Sequence, residues 1–262
     1  MTYYILIFLF GLIVGSFLNS VIFRLGKESF LEGRSYCPHC EHELQWKDLI
    51  PLFSFVVLKG ECRYCGEKID WQYPLVELST GLMFGIVFYL TQGSYFSWVQ
   101  LPITLFWLIV FSALLVVFVY DLKHYIIPDS VLITVLLVAL IWYGAGFFTG
   151  YYNLSVLTSK LLSGIGASFP LLMIVLLSKG KWMGMGDVKL SFVMGILLGW
   201  PLIVVGMFSA FMIGGIMGTV LLAVGRKKMK SKLAFGPLLI LGTFIAWGWG
   251  QQILSWYLSI IY

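Results

Sequence analysis

Apolar residues in this chain fall into eight runs separated by polar stretches. Seven of the runs are long enough to cross a membrane as helices, because about 20 residues span roughly 30 Å of hydrocarbon. The sixth run has only 13 residues and ends before a proline. The pattern predicts an all-α polytopic membrane protein with about eight transmembrane helices. In chain order the runs are Tyr3–Phe23, Pro74–Leu90, Leu101–Tyr120, Ser130–Phe148, Leu157–Ser178, Val188–Trp200, Leu202–Val224 and Phe235–Ile261.

The composition agrees with a membrane protein. Of the 262 residues, 60% are hydrophobic and 11% are charged, whereas a soluble domain carries about 25% charged residues. The first run has no basic segment before it and no small-residue cleavage site after it, so we expect a retained span and not a signal peptide. The net charge of +5 comes from basic residues scattered over several loops, which argues against a nucleic acid partner.

The basic residues predict the orientation, because cytoplasmic loops of membrane proteins are enriched in Lys and Arg. With the N-terminus outside, 16 of the 17 Lys and Arg residues lie in cytoplasmic loops or at the adjoining helix ends, and Lys160 is the exception. Without the sixth run, the basic cluster Arg226–Lys230 would lie outside. The cytoplasmic segments predicted in this way are Arg24–Asp70, Asp121–Pro128, Lys179–Asp187 and Gly225–Ala234.

A small polar insert separates the first two spans. Residues 24–70 hold 15 of the 29 charged residues and all four cysteines. The cysteines form two C-x-x-C pairs, which supply four thiolates for a structural zinc ion. Disulfides are disfavoured on the cytoplasmic side, and a domain this small needs a bound metal or another cross-link to be stable. Two redox-active cysteine pairs and a fortuitous spacing remain alternatives. The predicted zinc ligands are Cys37, Cys40, Cys62 and Cys65.

Other residues of the insert have simpler interpretations. We expect His39 and His42 to be surface residues, with ligand replacement as the alternative. The apolar stretch Ile50–Leu58 is too short to cross as a helix, so it is a re-entrant or interfacial element or the small core of the insert. The chain is thus predicted to comprise a first helix over residues 1–23, a cysteine-rich zinc-binding loop over 24–73 and a seven-helix membrane domain over 74–262.

Two aspartates stand at ends of membrane segments that the predicted topology places on the same side. Asp121 directly follows the third run, and Asp187 directly precedes the sixth. Ionisable groups at membrane depth are costly and usually functional. Two carboxylates close together share a proton, so one can activate water as a general base while the other donates to the scissile carbonyl. The pair predicts a membrane-embedded aspartic protease.

Glycines flank the second aspartate. Gly184 and Gly186 leave the backbone free to approach an extended peptide. A single aspartate at a helix end is more often a cap or an ion-pair partner, and we expect Asp129 to be an N-cap. Asp121 fits a cap poorly, because a negative charge at a helix C-terminus opposes the dipole. For Lys189 we expect contact with lipid headgroups, and pairing with one of the carboxylates is the alternative.

Glu77 is the only acidic residue inside a predicted span, about one turn from the cytoplasmic end. An ionisable group there is a functional candidate, and the alternative is a structural hydrogen bond to Asn19 or to a backbone carbonyl. Asn19 either faces a cavity or makes an interhelical hydrogen bond. In the same first span, Gly11 and Gly15 predict close helix packing.

Together these motifs resemble the bacterial prepilin peptidases, also called type IV leader peptidases. The resemblance covers almost the whole chain, and six ordered motifs carry it. Gly-x-Gly-Asp alone is also shared with other intramembrane aspartic proteases. The motifs are Gly15–Asn19 with Arg24, the two cysteine pairs with Ile50–Phe55 between them, Tyr73–Glu77, Tyr120-Asp121 with Ile127–Asp129, Gly184–Leu190 and Phe235–Pro237.

The resemblance implies a specific activity. Family members cut the short basic leader from prepilins and pseudopilins at the cytoplasmic face, after a glycine and before the apolar N-terminal helix. Many then methylate the new N-terminus with S-adenosylmethionine, and the cysteine-rich loop is present in those bifunctional members. Asp121 and Asp187 are then expected to be catalytic, and Glu77 and Asn19 to serve methyl transfer. The expected setting is the lipid of the bacterial inner membrane, with the N-terminus outside.

Two other functions compete with this interpretation. A Gly-x-Gly-Asp protease with another substrate is one, and the zinc-type loop argues against it. A transporter or assembly scaffold is the other; paired acids would then bind cations near the bilayer centre, whereas these aspartates lie at segment ends. The sequence leaves open the oligomeric state and the choice among type IV pili, type II secretion and DNA uptake.

Overall fold

A computed structural model describes residues 2–26, 35–93, 95–225 and 234–261. Within these ranges the regular structure is helical, apart from two isolated bridges. The predicted basic cluster Arg226–Lys230 and residues 27–34 of the insert lie outside the described residues. The α-helices are α1 (Thr2–Arg24), α2 (Phe53–Val57), α3 (Gln72–Gln92), α4 (Leu101–His124), α5 (Asp129–Phe148), α6 (Leu154–Ser178), α7 (Met185–Leu198), α8 (Leu202–Ala223) and α9 (Gly236–Ile261).

Seven of these helices are long and apolar enough to cross a membrane, among the residues that the structure describes. They correspond to seven of the eight predicted runs and confirm the all-α membrane architecture. The eighth run forms α7, which has 14 residues and is about 21 Å long at 1.5 Å per residue. This helix is shorter than the roughly 30 Å hydrocarbon layer, as the sequence indicated.

The first of two compact units, residues 1–112, is built on the contact between α1 and α3. A Cβ atom added to Gly11 would lie 2.8 Å from the Cα of Gly81, and one added to Gly15 would lie 2.7 Å from the Cα of Glu77. Only glycine allows the two backbones to approach this closely. The close packing predicted from the small residues of the first span is therefore confirmed.

The insert of this unit folds without strands in its described part. A 3-10 turn covers Trp46–Asp48, and α2 follows after Pro51. No residue of α2 is buried, and the side chains of Phe53 and Val56 are 62% and 72% exposed. The proposal that this apolar stretch forms the core of the insert is therefore wrong, while an interfacial element agrees with its exposure.

The second unit, residues 113–262, has α7 at its centre. This helix packs against α5, α6, α8 and α9, and Leu190 and Met194 on it are fully buried. Its crossing with α6 is very close, since a Cβ on Gly195 would lie 2.5 Å from the Cα of Gly164. The short helix is thus enclosed by longer ones, which explains how a segment of this length is held inside the unit.

Candidate active site

Asp121 lies in the last turn of α4 and is only 4% exposed. The helix continues to His124, so this aspartate does not end the span as predicted but precedes its end by three residues. The backbone N–H of Gly236, at the start of α9, donates a hydrogen bond to its carboxylate. An N–H donor at a helix N-terminus favours a negative charge, so α9 offsets part of the cost of burying this carboxylate.

Asp187 lies in the first turn of α7, three residues after the N-cap Gly184. Its Oδ2 accepts a hydrogen bond of 3.3 Å from the Gly184 N–H. This is the returning arm of a capping box, which satisfies one of the free N–H groups of the helix. Asp187 therefore has part of the capping role that was the alternative to a catalytic one. The same hydrogen bond also orients its carboxylate.

The two aspartates come together in the second unit. Asp187 lies close enough to Asp121 to feel its negative charge. The first stands at the start of α7 and the second near the end of α4, so two helices that are distant in sequence supply one carboxylate each. Two neighbouring carboxylates of this kind can share a proton, and a shared proton is the chemical requirement for paired acid and base catalysis.

Ile127 occupies the space between the two aspartate segments, and the sequence interpretation missed it. It is 9% exposed. A Cβ on Gly186 would lie 3.0 Å from the Cβ of Ile127, and one on Gly236 would lie 3.0 Å from its Cδ1. Ile127 therefore fills the gap that the two glycines leave. The only signal in the sequence was that Ile127, Gly186 and Gly236 belong to the motifs that carry the family resemblance.

Asp129 is not the N-cap that the sequence predicted. The N-cap of α5 is Pro128, and Asp129 is the first helical residue, without a side-chain cap. Its carboxylate pairs with the Lys189 ammonium at 2.7 Å. For Lys189, the ion pair is the carboxylate partner that was the alternative to lipid headgroups. The correction has a physical reason, because α5 and α7 begin next to each other and bring opposite charges together.

Glu77 and Asn19 lie on the facing sides of α3 and α1, in the first unit. Glu77 is 8% exposed, and its Oε2 accepts a hydrogen bond of 2.8 Å from the backbone N–H of Leu52. Asn19 donates to the Tyr73 carbonyl oxygen at 3.0 Å. Asn19 thus makes the interhelical hydrogen bond that was one alternative, whereas Glu77 bonds to a backbone N–H and not to a carbonyl.

The residues around this pair show local strain and unused bonding capacity. Leu52 has a φ of +58°, which costs free energy in a residue other than glycine. The Glu77 carboxylate holds this backbone position by accepting its N–H. Gln72 donates to Asn19 at 3.3 Å, but its own buried Oε1 has no hydrogen-bond partner among the described residues.

The four cysteines form one cluster in the first unit, and their sulfur atoms all lie within 4.8 Å of one another. Such a set could hold a metal ion, and four thiolates at this range suit tetrahedral zinc. The two pairs sit in matching turns. In each turn the first cysteine N–H donates to the carbonyl oxygen five residues later, with Cys37 bonding His42 at 3.0 Å and Cys62 bonding Glu67 at 2.7 Å.

The matching turns are joined by contacts between their side chains. The ring of His42 lies 3.7 Å from that of Tyr64, which places this exposed histidine on the protein surface. Asp48 binds the second turn, accepting from the Arg63 Nε at 2.6 Å and from the Tyr64 hydroxyl at 2.9 Å. The ring contact thus joins the two cysteine turns, and the Asp48 bonds tie the 3-10 turn to the second of them, without drawing on the cysteine thiols.

Comparison with known proteins matches both parts of the chain. Residues 9–91 fit the bacterial peptidase A24 N-terminal domain, and residues 108–219 fit the type IV leader peptidase family. A relative from Stutzerimonas stutzeri is 32% identical, covering 95% of this chain and 91% of its own. The chain belongs to the type IV leader peptidase family.

Other family members align over similar lengths. One from Bacillus subtilis strain 168 is 31% identical over 97% of this chain and 98% of its own, and one from Aeromonas salmonicida strain A449 is 33% identical over 99% and 95%. All three bear the name prepilin leader peptidase/N-methyltransferase. No solved structure matches the chain. Membership of the family makes this protein a multi-pass membrane peptidase.

Proposed function

We propose that this protein cleaves the leader from prepilins with Asp121 and Asp187 as its catalytic dyad. The observation that carries the proposal is the meeting of these two carboxylates at the ends of α4 and α7. The shared name of the relatives supports the substrate class. The substrate is a prepilin or pseudopilin, with a basic leader before the scissile bond and an apolar helix after it.

The dyad hydrolyses the peptide by sharing one proton. The charged carboxylate takes a proton from a water molecule, whose oxygen attacks the scissile carbonyl carbon. The protonated carboxylic acid donates to the carbonyl oxygen and stabilises the tetrahedral intermediate. Collapse of the intermediate breaks the C–N bond: the proton taken from water passes to the leaving amine, and a hydroxyl proton of the intermediate returns to the other carboxylate, which restores the singly protonated dyad. The pair titrates as a unit, so the two roles belong to the dyad as a whole.

Backbone geometry around the dyad supports an extended substrate. A Cβ on Gly184 would meet only Asp187 Oδ2 at 3.7 Å and the Gly186 N at 3.9 Å, so the space beside this residue is open. The N–H groups of Gly184 and Gly236 orient the two carboxylates. The dyad is thus held from the backbone side, while the glycine segment leaves room for a peptide backbone.

Charge supports an active site at the cytoplasmic face of the bacterial inner membrane. With the N-terminus outside, 16 of the 17 Lys and Arg residues lie on the side of the two aspartates, as the positive-inside rule requires. A basic leader stays on that side for the same reason, and the apolar helix after it enters the lipid. The scissile bond then lies where the membrane begins, at the ends of α4 and α7.

The cysteine cluster is proposed to bind one structural zinc ion through all four thiolates. The chemistry of the donor set fits, because four soft sulfur ligands at tetrahedral spacing select zinc. The ion would link the turns of Cys37–Cys40 and Cys62–Cys65, which contain few buried residues of their own. Zinc in this role stabilises the fold of the insert and takes no part in peptide hydrolysis.

Methylation of the new N-terminus is proposed to use Glu77 and Asn19. S-adenosylmethionine, when bound, supplies an electrophilic methyl group to the substrate amine. The buried carboxylate of Glu77 would hold the positive charge of the donor, and Asn19 and Gln72 would contribute amide groups. The unpaired buried Oε1 of Gln72 supports this assignment, because it offers an acceptor to an N–H group of a ligand.

The dyad is tested by cleavage of a purified prepilin with the full-length enzyme in detergent. Asp121→Asn and Asp187→Asn keep the shape of each side chain and remove its charge, so we expect both to lose cleavage. The matched control is Asp129→Asn, an exposed carboxylate beside the same helices, which should keep most activity. Full cleavage by either dyad variant would overturn the proposal.

A further inference from the structure

Helix α7 is too short to cross the apolar layer by itself, and its last carbonyl groups need partners. At about 21 Å it does not cross a roughly 30 Å hydrocarbon layer. The last carbonyls of a helix have no partners within the helix, and leaving them unpaired in lipid costs several kcal/mol each. At the end opposite Asp187, these groups belong to Leu197 and Leu198, in the last turn of the helix.

Lys160 on α6 supplies the partners. Its Nζ donates to the Leu197 carbonyl oxygen at 2.9 Å and to the Leu198 carbonyl oxygen at 3.1 Å. The Tyr143 hydroxyl, from α5, donates to the same Leu197 oxygen at 3.1 Å. Two neighbouring helices therefore cap the end of α7 with side chains.

The charge of Lys160 is matched to its position. A cation at a helix C-terminus interacts favourably with the negative end of the helix dipole. The ammonium also lies 5.1 Å from the centre of the Tyr143 ring, within the range of a cation–π contact. Lys160 is the one basic residue outside the predicted cytoplasmic segments and their adjoining helix ends, and the cap accounts for a charge that the orientation rule left unexplained.

The same end of α7 has little freedom to shift. Gly199, its C-cap, has a φ of +72°, and a Cβ there would lie 3.1 Å from the Lys160 Cδ. The glycine crossing with α6, at Gly164 and Gly195, prevents rotation without a backbone collision. Sliding α7 along its axis by one residue would break both Lys160 hydrogen bonds, because each residue advances the helix by about 1.5 Å.

We propose that Lys160 is a positioning residue, which fixes the axial position of α7 and thereby the depth of Asp187 at the other end. Eleven residues separate Leu198 from Asp187, about 16 Å along a rigid helix. A cap at one end therefore sets where the carboxylate meets the substrate. The inference rests on the proposed role of Asp187 in cleavage. It assigns to Lys160 the control of which peptide bond is cut.

The test uses the full-length enzyme in lipid vesicles and a prepilin with two consecutive glycines at its cleavage boundary. Lys160→Met keeps the length of the side chain and removes its donors. We expect kcat to fall about tenfold, because displacing a catalytic group by about 1 Å costs up to roughly a hundredfold in rate and the lost cap should displace Asp187 by less than that, with KM unchanged. Mass spectrometry of the products should show one cut for the wild type and cuts after both glycines for Lys160→Met.

Three further variants make the outcome specific. Lys160→Arg keeps the charge and should restore a single cut. Tyr143→Phe removes one hydrogen bond and should give the same effect in weaker form, which also serves if Lys160→Met does not fold. Thr158→Val is the matched control, since this exposed hydroxyl donates to the Ser155 carbonyl oxygen of its own helix, and it should behave as the wild type.

The results separate this inference from the dyad itself. If Asp187→Asn is inactive while Lys160→Met cleaves at one position with normal kcat, the positioning role is wrong and the dyad stands. A loss in Lys160→Met that only follows the folded fraction, with one cut retained, also contradicts it, because a purely structural role predicts that result. Cleavage by Asp187→Asn would instead remove the proposed function.

Discussion

The Lys189 ammonium lies 2.7 Å from a carboxylate oxygen of Asp129, which joins the start of α7 to the start of α5. The two residues are 60 positions apart in sequence. Both side chains remain half exposed, at 50% and 58%. Lys189 is two residues from Asp187. Breaking the pair therefore measures how much an exposed contact beside the candidate dyad contributes to stability and to cleavage.

Breaking this ion pair should have a small effect. Exposed salt bridges contribute about 0 to 1 kcal/mol, so Asp129→Asn and Lys189→Gln should lower thermal stability slightly and leave most cleavage activity. The effect should shrink as salt is added, because exposed charges are screened. Unfolding temperature and cleavage rate at low and high salt are the measurements. A loss comparable with that of Asp187→Asn would show that Asp129 or Lys189 acts in the reaction itself.

Gly236→Ala should damage the dyad strongly. The added Cβ would lie 2.6 Å from Asp121 Oδ2 and 3.0 Å from the Ile127 Cδ1, so the carboxylate must move. A displacement of about 1 Å at a catalytic group costs roughly a hundredfold in rate, which we expect in kcat. The control is Gly218→Ala, another helical glycine, whose added Cβ would have no heavy atom of the described residues within 4 Å. Equal rates for the two variants would contradict the contact.

Loss of one cysteine should release the metal. We expect Cys37→Ser to lower the zinc content of the purified protein, measured by metal analysis, and to make the insert more sensitive to proteases. His39→Ala is the control, because four thiolates already complete the tetrahedral set, and its zinc content should stay at the wild-type level. Unchanged metal in Cys37→Ser would exclude this cysteine as a ligand.

Acid should weaken the insert through Asp48. Burial alone would raise the pKa of Asp48, but hydrogen bonds from Arg63, Tyr64 and the Gln45 backbone N–H outweigh it, so its pKa lies below the ordinary value. A carboxyl group of this kind stabilises the fold above its unfolded pKa of about 3.9. The stabilisation is lost as the pH falls through the lower, folded-state pKa.

Asp48→Asn isolates this contribution. Protonation of the cysteine thiols also loosens a zinc site in acid, and that effect is common to the wild type and the variant. The stability difference between the two proteins should therefore be fully present above about pH 4, fall as the pH drops further and vanish only below the folded-state pKa of Asp48. Proteolysis of the insert across this range measures it. A difference that stays constant with pH would show that Asp48 is not ionised in the folded protein.

Glu77→Gln should separate the two proposed activities. The amide oxygen can still accept from the Leu52 N–H, which the wild-type carboxylate holds at 2.8 Å, so the fold and cleavage should persist. Transfer of a labelled methyl group to the cleaved pilin should fall, because the negative charge is gone. Glu77→Leu, which cannot accept that bond, should lose both activities. Normal methylation by Glu77→Gln would remove Glu77 from the methyl-transfer site.

The spans and the position of the two aspartates could be predicted because hydrophobicity and charge act over whole segments. Eight apolar runs with one consistent orientation already place Asp121 and Asp187 on one side. The boundaries of α7 were less accurate: the helix starts at Met185, three residues before the predicted run. Glycines weaken a helix, but Asp187 can join its first turn because it accepts the Gly184 N–H.

The partners of buried polar groups could not be predicted, since backbone N–H and carbonyl groups leave no mark in the sequence. Glu77 stood out as a carboxylate in a span, but one of its partners is the N–H of Leu52, a residue in an unusual backbone conformation. Lys160 stood out as a stray charge, yet its partners are carbonyl oxygens about 37 residues away. In both cases the sequence identifies the charged side chain, and only the tertiary structure identifies the backbone groups to which it bonds.

Because α7 is capped at one end and carries Asp187 at the other, its length cannot vary freely. One residue inserted between Val188 and Leu198 would move the carboxylate by about 1.5 Å and turn it by roughly 100° around the axis. The loop before the helix, residues 179–183, has no such restriction, since Asp187 is anchored from the far side. Insertions and deletions in functional relatives should therefore collect in that loop and be absent from the helix.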